Sequence, residues 1–226
     1  MLITIPDVLD ANQLALCRQL LQDAQWEDGS RTAGYIAQRA KQNRQLALDD
    51  PIATRLGDLI LGELGRNQSF IAAALPAKIL APRFNRYENS GHYGNHIDNA
   101  VFVAPGTAQR VRSDVSCTLF LSDPGDYEGG ELTIEDTYGT RQIKLPAGHM
   151  VVYPGTSLHH VTPVTRGVRV ASFFWVQSMV RHAHQRAILW ELDQSIQEIA
   201  MQSDDPSRLA RLSGVYHNLI REWADT

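Results

Sequence analysis

The stretch Gly91-His92-Tyr93-Gly94-Asn95-His96-Ile97-Asp98 decides between a helical and a β reading of this chain. Gly91 and Gly94 make a helix through His92 and His96 costly, so those two residues are not expected to form a helical pair of metal ligands. In a strand, side chains alternate from face to face, and His96 and Asp98 then project from the same one. With a second imidazole from further along the chain they would place two nitrogens and one carboxylate on one side of a metal. That is the facial arrangement of Fe(II) oxygenases, which leaves positions open for substrate and O2. A zinc hydrolase can use the same donors, although the chain has no H-E-x-x-H helix. A cupin-like metal-binding or sensing module is a third reading.

The third donor is His159 or His160. If Thr165-Arg166-Gly167 is a three-residue hairpin turn, Val164 faces Val168, and counting outward puts His159 opposite Phe173. Arg169 then shares a face with His159, while His160 projects from the other. The expected metal set is therefore His96, Asp98 and His159. Arg169 suits the far carboxylate of a dicarboxylic cosubstrate, because a guanidinium is permanently charged and grips a carboxylate with two parallel hydrogen bonds. Tyr87 and Asn85 share parity with Arg83 and are positioned to add hydrogen bonds to the cosubstrate. His160 reads as packing, and His92 and His149 as surface or turn residues. Gly129-Gly130-Glu131 lacks a following Lys-Ser/Thr and reads as a tight turn before a strand rather than a phosphate loop.

Around this core the periodicity changes twice. Asp10 caps a helix from Ala11 to about Gln25, with Gln13 completing a capping box, and a second helix spans Pro51 to Leu64. The polar, basic stretch from Gly29 to Arg44 between them is a solvated segment or a lid. From Ala77 onward, eight β-type runs follow: Ile79 to Tyr87, Asn95 to Asp98, Val115 to Leu121, Glu131 to Glu135, Thr140 to Leu145, Met150 to Tyr153, His159 to Val164 and Val168 to Gln177. They suggest a mainly β fold with flanking helices, built on a double-sheet jelly roll. Val168 to Val176 is apolar on both faces, which calls for helices packed outside the sheet. After Met179 the period is helical again, and Asp205-Pro206 restarts a second helix. The apolar stripe of this tail covers the core or forms a homo-oligomer contact. The expected divisions are a helical cover over residues 1–74, a jelly-roll domain over 75–178 and a helical extension over 179–226.

A chain of 226 residues with 43% hydrophobic content can bury one substantial core. A net charge of −4 argues against a nucleic-acid surface. Cys17 and Cys117 are too few for a disulfide scaffold. No long apolar run suggests a membrane span or a leader, so a cytoplasmic protein is expected.

Several motifs occur in order: Arg83-Phe84-x-x-Tyr87, His96-x-Asp98, Thr118-Leu-Phe-Leu-Ser122, Gly129-Gly-Glu-Leu132, Tyr153-Pro154, His159-x-Val161-x-Pro-Val164 and Arg169. In this succession the chain resembles the prolyl/lysyl hydroxylase domain, the PKHD type, and within it the bacterial branch associated with iron uptake. The resemblance runs from about Leu75 to Ser178, with matching flanks at Thr32-Ala-Gly34 and in the C-terminal tail. It implies a dioxygenase dependent on Fe(II) and 2-oxoglutarate. On that resemblance His96, Asp98 and His159 hold the iron, Arg169 takes the C5 carboxylate, and succinate and CO2 are released as a small-molecule or peptidyl substrate is hydroxylated by O2. L-ascorbate is implied as the agent that restores oxidised iron. Collagen-type prolyl hydroxylases use Lys where this chain has Arg169, a departure that bears on prolyl specificity, leaves the cosubstrate assignment intact and keeps a prolyl or lysyl residue among the candidate substrates. Residues 99–112, after the Asp, are the expected seat of specificity, and Arg110 and Arg112 within them hint at an anionic or polar partner.

Overall fold

The computed structural model describes residues 1–32, 40–136, 139–202 and 205–225. The first third of the chain mixes short strands with helices: β1 (Ile3–Ile5), α1 (Ala11–Gln22), β2 (Trp26–Asp28), β3 (Lys41–Gln42), β4 (Arg44–Leu46), α2 (Pro51–Leu64) and α3 (Gln68–Ala74). Strands then dominate: β5 (Pro76–Ile79), β6 (Arg83–Tyr87), β7 (His92–His96), β8 (Val101–Val103), β9 (Arg110–Arg112), β10 (Val115–Phe120), β11 (Tyr127–Gly129) and β12 (Leu132–Asp136). They continue with β13 (Gly139–Ile143), β14 (Met150–Pro154), β15 (His159–Val161), β16 (Val164–Gly167) and β17 (Arg169–Ser178), before α4 (Ala183–Gln202) and α5 (Pro206–Trp223).

Two antiparallel sheets make the core, giving the expected jelly roll with flanking helices. The major sheet runs β1-β14-β10-β17-β6-β4-β2, with β5 also on β17; the minor one runs β13-β12-β15-β7-β3. The ten-residue β17 lies at the centre of the major sheet, and this explains why its sequence is apolar on both faces. One face carries Cys117, Leu119, Val152, Phe174 and Val176, which join Cys17 and Leu21 of α1, Leu56, Ile60 and Leu64 of α2 and Phe70 of α3 in one buried cluster. The other face looks toward the minor sheet, where Tyr87, Phe120, Val151 and Tyr153 pack with Leu132, Ile134 and Val161.

Helix starts follow their local chemistry. Asp10 caps α1 and makes the reciprocal capping box with Gln13, both bonds 2.8 Å. Asp50 and Asp205 cap α2 and α5, each followed by proline at the start of the helix. The C-terminal pair covers part of the chain's own core: Tyr216, Leu219, Ile220 and Trp223 pack against buried Leu75, Val180 and Leu189. No helix among the described residues is long and apolar enough to cross a membrane.

The structure departs from the sequence-based expectation in several places. α1 stops at Gln22, short of Gln25. The run Ile79 to Tyr87 is two strands, because the chain turns at Leu80-Ala81-Pro82 and proline cannot donate to a ladder. The largest correction concerns the stretch after His159. No hairpin turn forms at Thr165-Arg166-Gly167; those residues belong to β16, which pairs with β11. β15 and β17 lie in different sheets. Of the basic stretch Gly29 to Arg44, residues 33–39 fall outside the described residues, as does part of the Thr32-Ala-Gly34 flank. The elements β3 and β4 occupy its end.

Candidate metal centre and cosubstrate pocket

His96 is the last residue of β7, Asp98 lies two residues beyond it in the following loop, and His159 opens β15. The expected strand through Asp98 therefore ends at His96, yet the carboxylate still turns to the histidine side. β15 pairs antiparallel with β7 so that His159 sits opposite His96, and with β12 so that His159 faces Ile134. This cross-strand register, and not the expected hairpin, brings the two imidazoles together. Their ring centroids are 4.2 Å apart. One atom from each of His96, Asp98 and His159 lies within 4.8 Å of the others. The Nε2 atoms of His96 and His159 are each 3.9 Å from a different Asp98 oxygen.

Each histidine is oriented from behind. His96 Nδ1 bonds the carbonyl of Gly94 at 2.8 Å, and His159 Nδ1 bonds that of Ser157 at 3.0 Å. A carbonyl only accepts, so Nδ1 must carry the proton and Nε2 presents its lone pair to the shared space. Ser116 Oγ, from the major sheet, donates to Asp98 Oδ2 at 2.6 Å. Burial, reinforced by neighbouring His159, pulls His96 down to about 4, so it is neutral at pH 7 and available as a ligand. Tyr93 stacks on His96 with centroids 3.6 Å apart, and Tyr153 meets His159 edge-on at 5.2 Å.

His160 sits opposite Thr133 and projects from the other face of β15, with Nδ1 buried and unpartnered. His92 bonds Ser90, and His149 lies 3.5 Å from Asp7, so neither joins the cluster.

Arg169 starts β17 opposite Tyr87 of β6, two residues before Ala171, which faces Asn85. Only 1% of Arg169 is exposed. Its guanidinium carbon lies 5.3 Å from the Tyr87 ring centre and 5.2 Å from that of Phe120. Nε and Nη1 are buried with no hydrogen-bond partner, and so is Oδ1 of Asn85. Buried polar nitrogens without an acceptor are uncommon and costly. The same cavity, about 640 Å³, is lined by Arg169, Asn85 and Tyr87 and by His96, Asp98 and His159. The two orphaned nitrogens of Arg169 thus belong to the side chain that shares this space with the three donors.

Two glycines shape this end of the pocket. Gly129 and Gly130 both have φ near +70°, and a Cβ on Gly130 would come within 3.1 Å of Arg169 Cδ. The Gly-Gly turn expected before β12 therefore also makes room for the arginine stem.

Sequence reasoning missed Ser116, which steadies Asp98. Its signal was present: in Val115-Ser116-Cys117-Thr118 the small polar residues alternate with apolar ones, marking the cavity face of β10. Residues 99–112 hold the β8–β9 ribbon, whose Phe102 stacks on Trp175 at 4.1 Å. Arg112 is tied to Asp114 at 2.6 Å, and neither Arg110 nor Arg112 lines the cavity.

Comparison with known proteins agrees with this arrangement. The 2OG-Fe(II) oxygenase superfamily pattern matches residues 82–177, and the PKHD-type hydroxylase C-terminal domain matches residues 184–225. A PKHD-type hydroxylase of Parvibaculum lavamentivorans is 58% identical over 226 residues, covering all of both chains. One from Nitrobacter winogradskyi is 53% identical, again over both full lengths. Among solved structures, the fold is similar to the non-haem alpha ketoglutarate dependent carbocyclase SnoK from nogalamycin biosynthesis, with TM-score 0.56, 16% identity and coverage of 79% of each chain. It is also similar to a Trichoplax adhaerens prolyl hydroxylase in complex with a hypoxia inducible factor peptide fragment, with TM-score 0.53, 14% identity and coverage of 78% of this chain and 83% of that one. Matched along its whole length by such relatives, the chain belongs to the PKHD-type hydroxylases and is a 2-oxoglutarate- and Fe(II)-dependent dioxygenase.

Proposed function

We propose that His96, Asp98 and His159 hold Fe(II), that Arg169 receives the C5 carboxylate of 2-oxoglutarate, and that the protein hydroxylates an organic substrate with release of succinate and CO2. The observation that carries this reading is the buried guanidinium of Arg169, whose Nε and Nη1 lack a hydrogen-bond partner and which shares one cavity with a two-histidine, one-carboxylate cluster. The donor set fits the metal: two neutral imidazoles with Nε2 presented and one carboxylate leave room for cosubstrate and O2. When bound, iron and 2-oxoglutarate supply O2 activation, coupled to decarboxylation of the cosubstrate.

The chain's own residues contribute orientation, charge and dryness. The Gly94 and Ser157 carbonyls fix the tautomers of His96 and His159, and Ser116 holds Asp98 by one oxygen. Arg169 offers a two-pronged donor to a carboxylate, in surroundings where Tyr87 and Phe120 exclude water and strengthen the pairing. Asn85 and Tyr87, on the neighbouring strand, orient the same cosubstrate. L-Ascorbate is proposed to return oxidised iron to Fe(II). The substrate is a small molecule or a peptidyl residue. The peptide bound to the Trichoplax neighbour shows that a related fold can take the latter.

The test is purified protein with Fe(II), O2 and labelled 2-oxoglutarate. Succinate is expected even without substrate, at an uncoupled rate. Its absence across candidate substrates would sink the proposal, and turnover without oxygen would point to a zinc hydrolase. Comparing His159→Ala with His160→Ala checks the donor set: only the first is expected to lose iron. If Arg169→Ala leaves the protein's function intact, the chain acts as a plain metal-binding module.

A further inference from the structure

Arg83 is a second arginine of the same cavity, and the proposed reaction leaves it without a task. It belongs to β6, opposite Phe173, two strand positions from Asn85 on the face that carries Tyr87. Its guanidinium carbon lies 5.2 Å from the Trp175 ring centre and 5.7 Å from that of Phe102, while those two rings stack on each other at 4.1 Å. Among the described residues it has neither a hydrogen-bond acceptor nor a carboxylate partner. Its neighbour Arg86, which projects from the other face, is paired with Glu88 at 2.9 Å. The residue is half-buried, and burial lowers its affinity for the proton. Stacking on two rings holds the guanidinium in place and leaves the fork of donors unused.

Its place in the fold puts it at the cavity mouth. β4 pairs with β6 only at Asn85 and Arg86, so at the level of Arg83 the sheet has no further neighbour on that side. Trp175, which flanks the guanidinium, faces Ser116, the residue that holds Asp98. From Ser116, Arg83 is two residues along the strands and two strands across, roughly 12 Å between Cα atoms at ~3.3 Å per residue and ~4.8 Å per strand. Ile97, 57% exposed, and Phe102 supply apolar wall beside it.

Charge balance points the same way. The formally charged side chains of the cavity are Lys41, Arg83 and Arg169 against Asp98, and Lys41 has its own interactions. The two positive charges of Fe(II) and the two carboxylates of 2-oxoglutarate cancel. The loaded cavity then retains a net positive charge, and Arg169 is already engaged.

We propose that Arg83, clamped over Phe102 and Trp175, is the recognition site for a single carboxylate of the substrate, borne on an apolar or aromatic body. This rests on the iron and 2-oxoglutarate reading above. A monoanion matches one guanidinium in a mostly apolar setting. The carboxylate grip fixes the substrate's distance from the donor cluster, so Arg83 selects which carbon lies beside it.

The test uses the full chain with Fe(II) and saturating 2-oxoglutarate under anaerobic conditions, titrated calorimetrically with benzoate and with benzamide as matched probes. Benzoate is expected to bind at least tenfold more tightly than benzamide. Arg83→Gln should erase that preference, and Arg83→Lys should restore part of it by returning the charge without the planar fork. Cosubstrate binding, followed by the visible charge-transfer band of the Fe(II)-2-oxoglutarate complex, is expected to persist in Arg83→Gln, which also shows that the variant folds. Equal affinities for the two probes, no saturable benzoate binding, or a preference that survives in Arg83→Gln would overturn the proposal. Loss of the preference only in Arg169→Gln would overturn it too, by placing benzoate in the cosubstrate pocket. If the charge-transfer band is missing from the unmutated protein, the failure lies in the iron and 2-oxoglutarate reading instead.

Discussion

Two guanidiniums among the described residues are buried almost completely, Arg169 at 1% exposure and Arg186 at 3%, and they could hardly be treated more differently. Arg186, on α4, donates from Nη1 to the carbonyls of Val180 and Arg181, both at 2.8 Å, and from Nη2 to that of Asp114 at 3.0 Å. It ties the C-terminal helices to the end of β17 and to the loop before β10. Arg169 has two ring faces beside it and no acceptor for Nε or Nη1. A protein that fully satisfies one buried arginine shows that satisfaction was attainable. The other keeps two nitrogens without an acceptor beside its cavity, and the contrast supports the proposed binding role of Arg169 without reference to any relative.

Substitutions can break or sharpen that contrast. The largest effect is expected from Arg186→Ala, which strands three carbonyls and removes a packed side chain. Charged hydrogen bonds contribute about 1.5–3 kcal/mol each, so a stability loss on the order of 4 kcal/mol should appear in urea denaturation. Arg169→Met should behave oppositely. Replacing an uncompensated charge by an apolar side chain of similar length should leave the ligand-free protein within ~1 kcal/mol of the original stability or above it. The affinity for 2-oxoglutarate should fall by about 2–4 kcal/mol, thirtyfold to a thousandfold, in anaerobic titration. A third check reads stability. With Fe(II) present and 2-oxoglutarate at a hundred times the dissociation constant of the unmutated protein, that protein should gain ~2.7 kcal/mol and Arg169→Met at most about 0.9 kcal/mol. The smallest effect is reserved for Ser116→Ala, which removes the bond to Asp98 and should weaken iron binding ten- to a hundredfold, with little change in fold stability. A loss for Arg169→Met as deep as that for Arg186→Ala would erase the distinction between them.

Much of this arrangement was legible in the sequence because it rests on short-range rules. Capping aspartates marked the starts of α1 and α5, and the doubly apolar β17 announced a strand covered on both faces. Gly91 and Gly94 ruled out a helix around His92 and His96. His159, and not His160, lies beside His96 and Asp98 as the parity argument expected, but not by way of the hairpin it assumed. Parity within one strand is local, whereas the partner of that strand is not: beyond Thr162-Pro163 the chain pairs with β11 and leaves β17 to the other sheet. The choice survived because an imidazole facing the minor sheet's partners faces the interior under either pairing. The short pieces β1 to β4 and the seven-residue α3 were missed for a related reason. Two to seven residues carry too little periodicity to stand out, and their pairing comes from distant strands. Arg83 was noticed only as a parity marker, because its two aromatic companions lie on β8 and β17, far along the chain.

The donor cluster also has a mechanical meaning. His96, Asp98 and His159 come from the minor sheet and the loop leaving it, while Ser116 and Arg169 come from the major one. On the proposed assignment, iron and its cosubstrate bridge the two halves of the sandwich like a rivet through two plates. Iron uptake then becomes a gauge of whether the plates are closed: a partly melted protein whose helices and individual sheets persist, but whose interior gap has widened, would release the metal first.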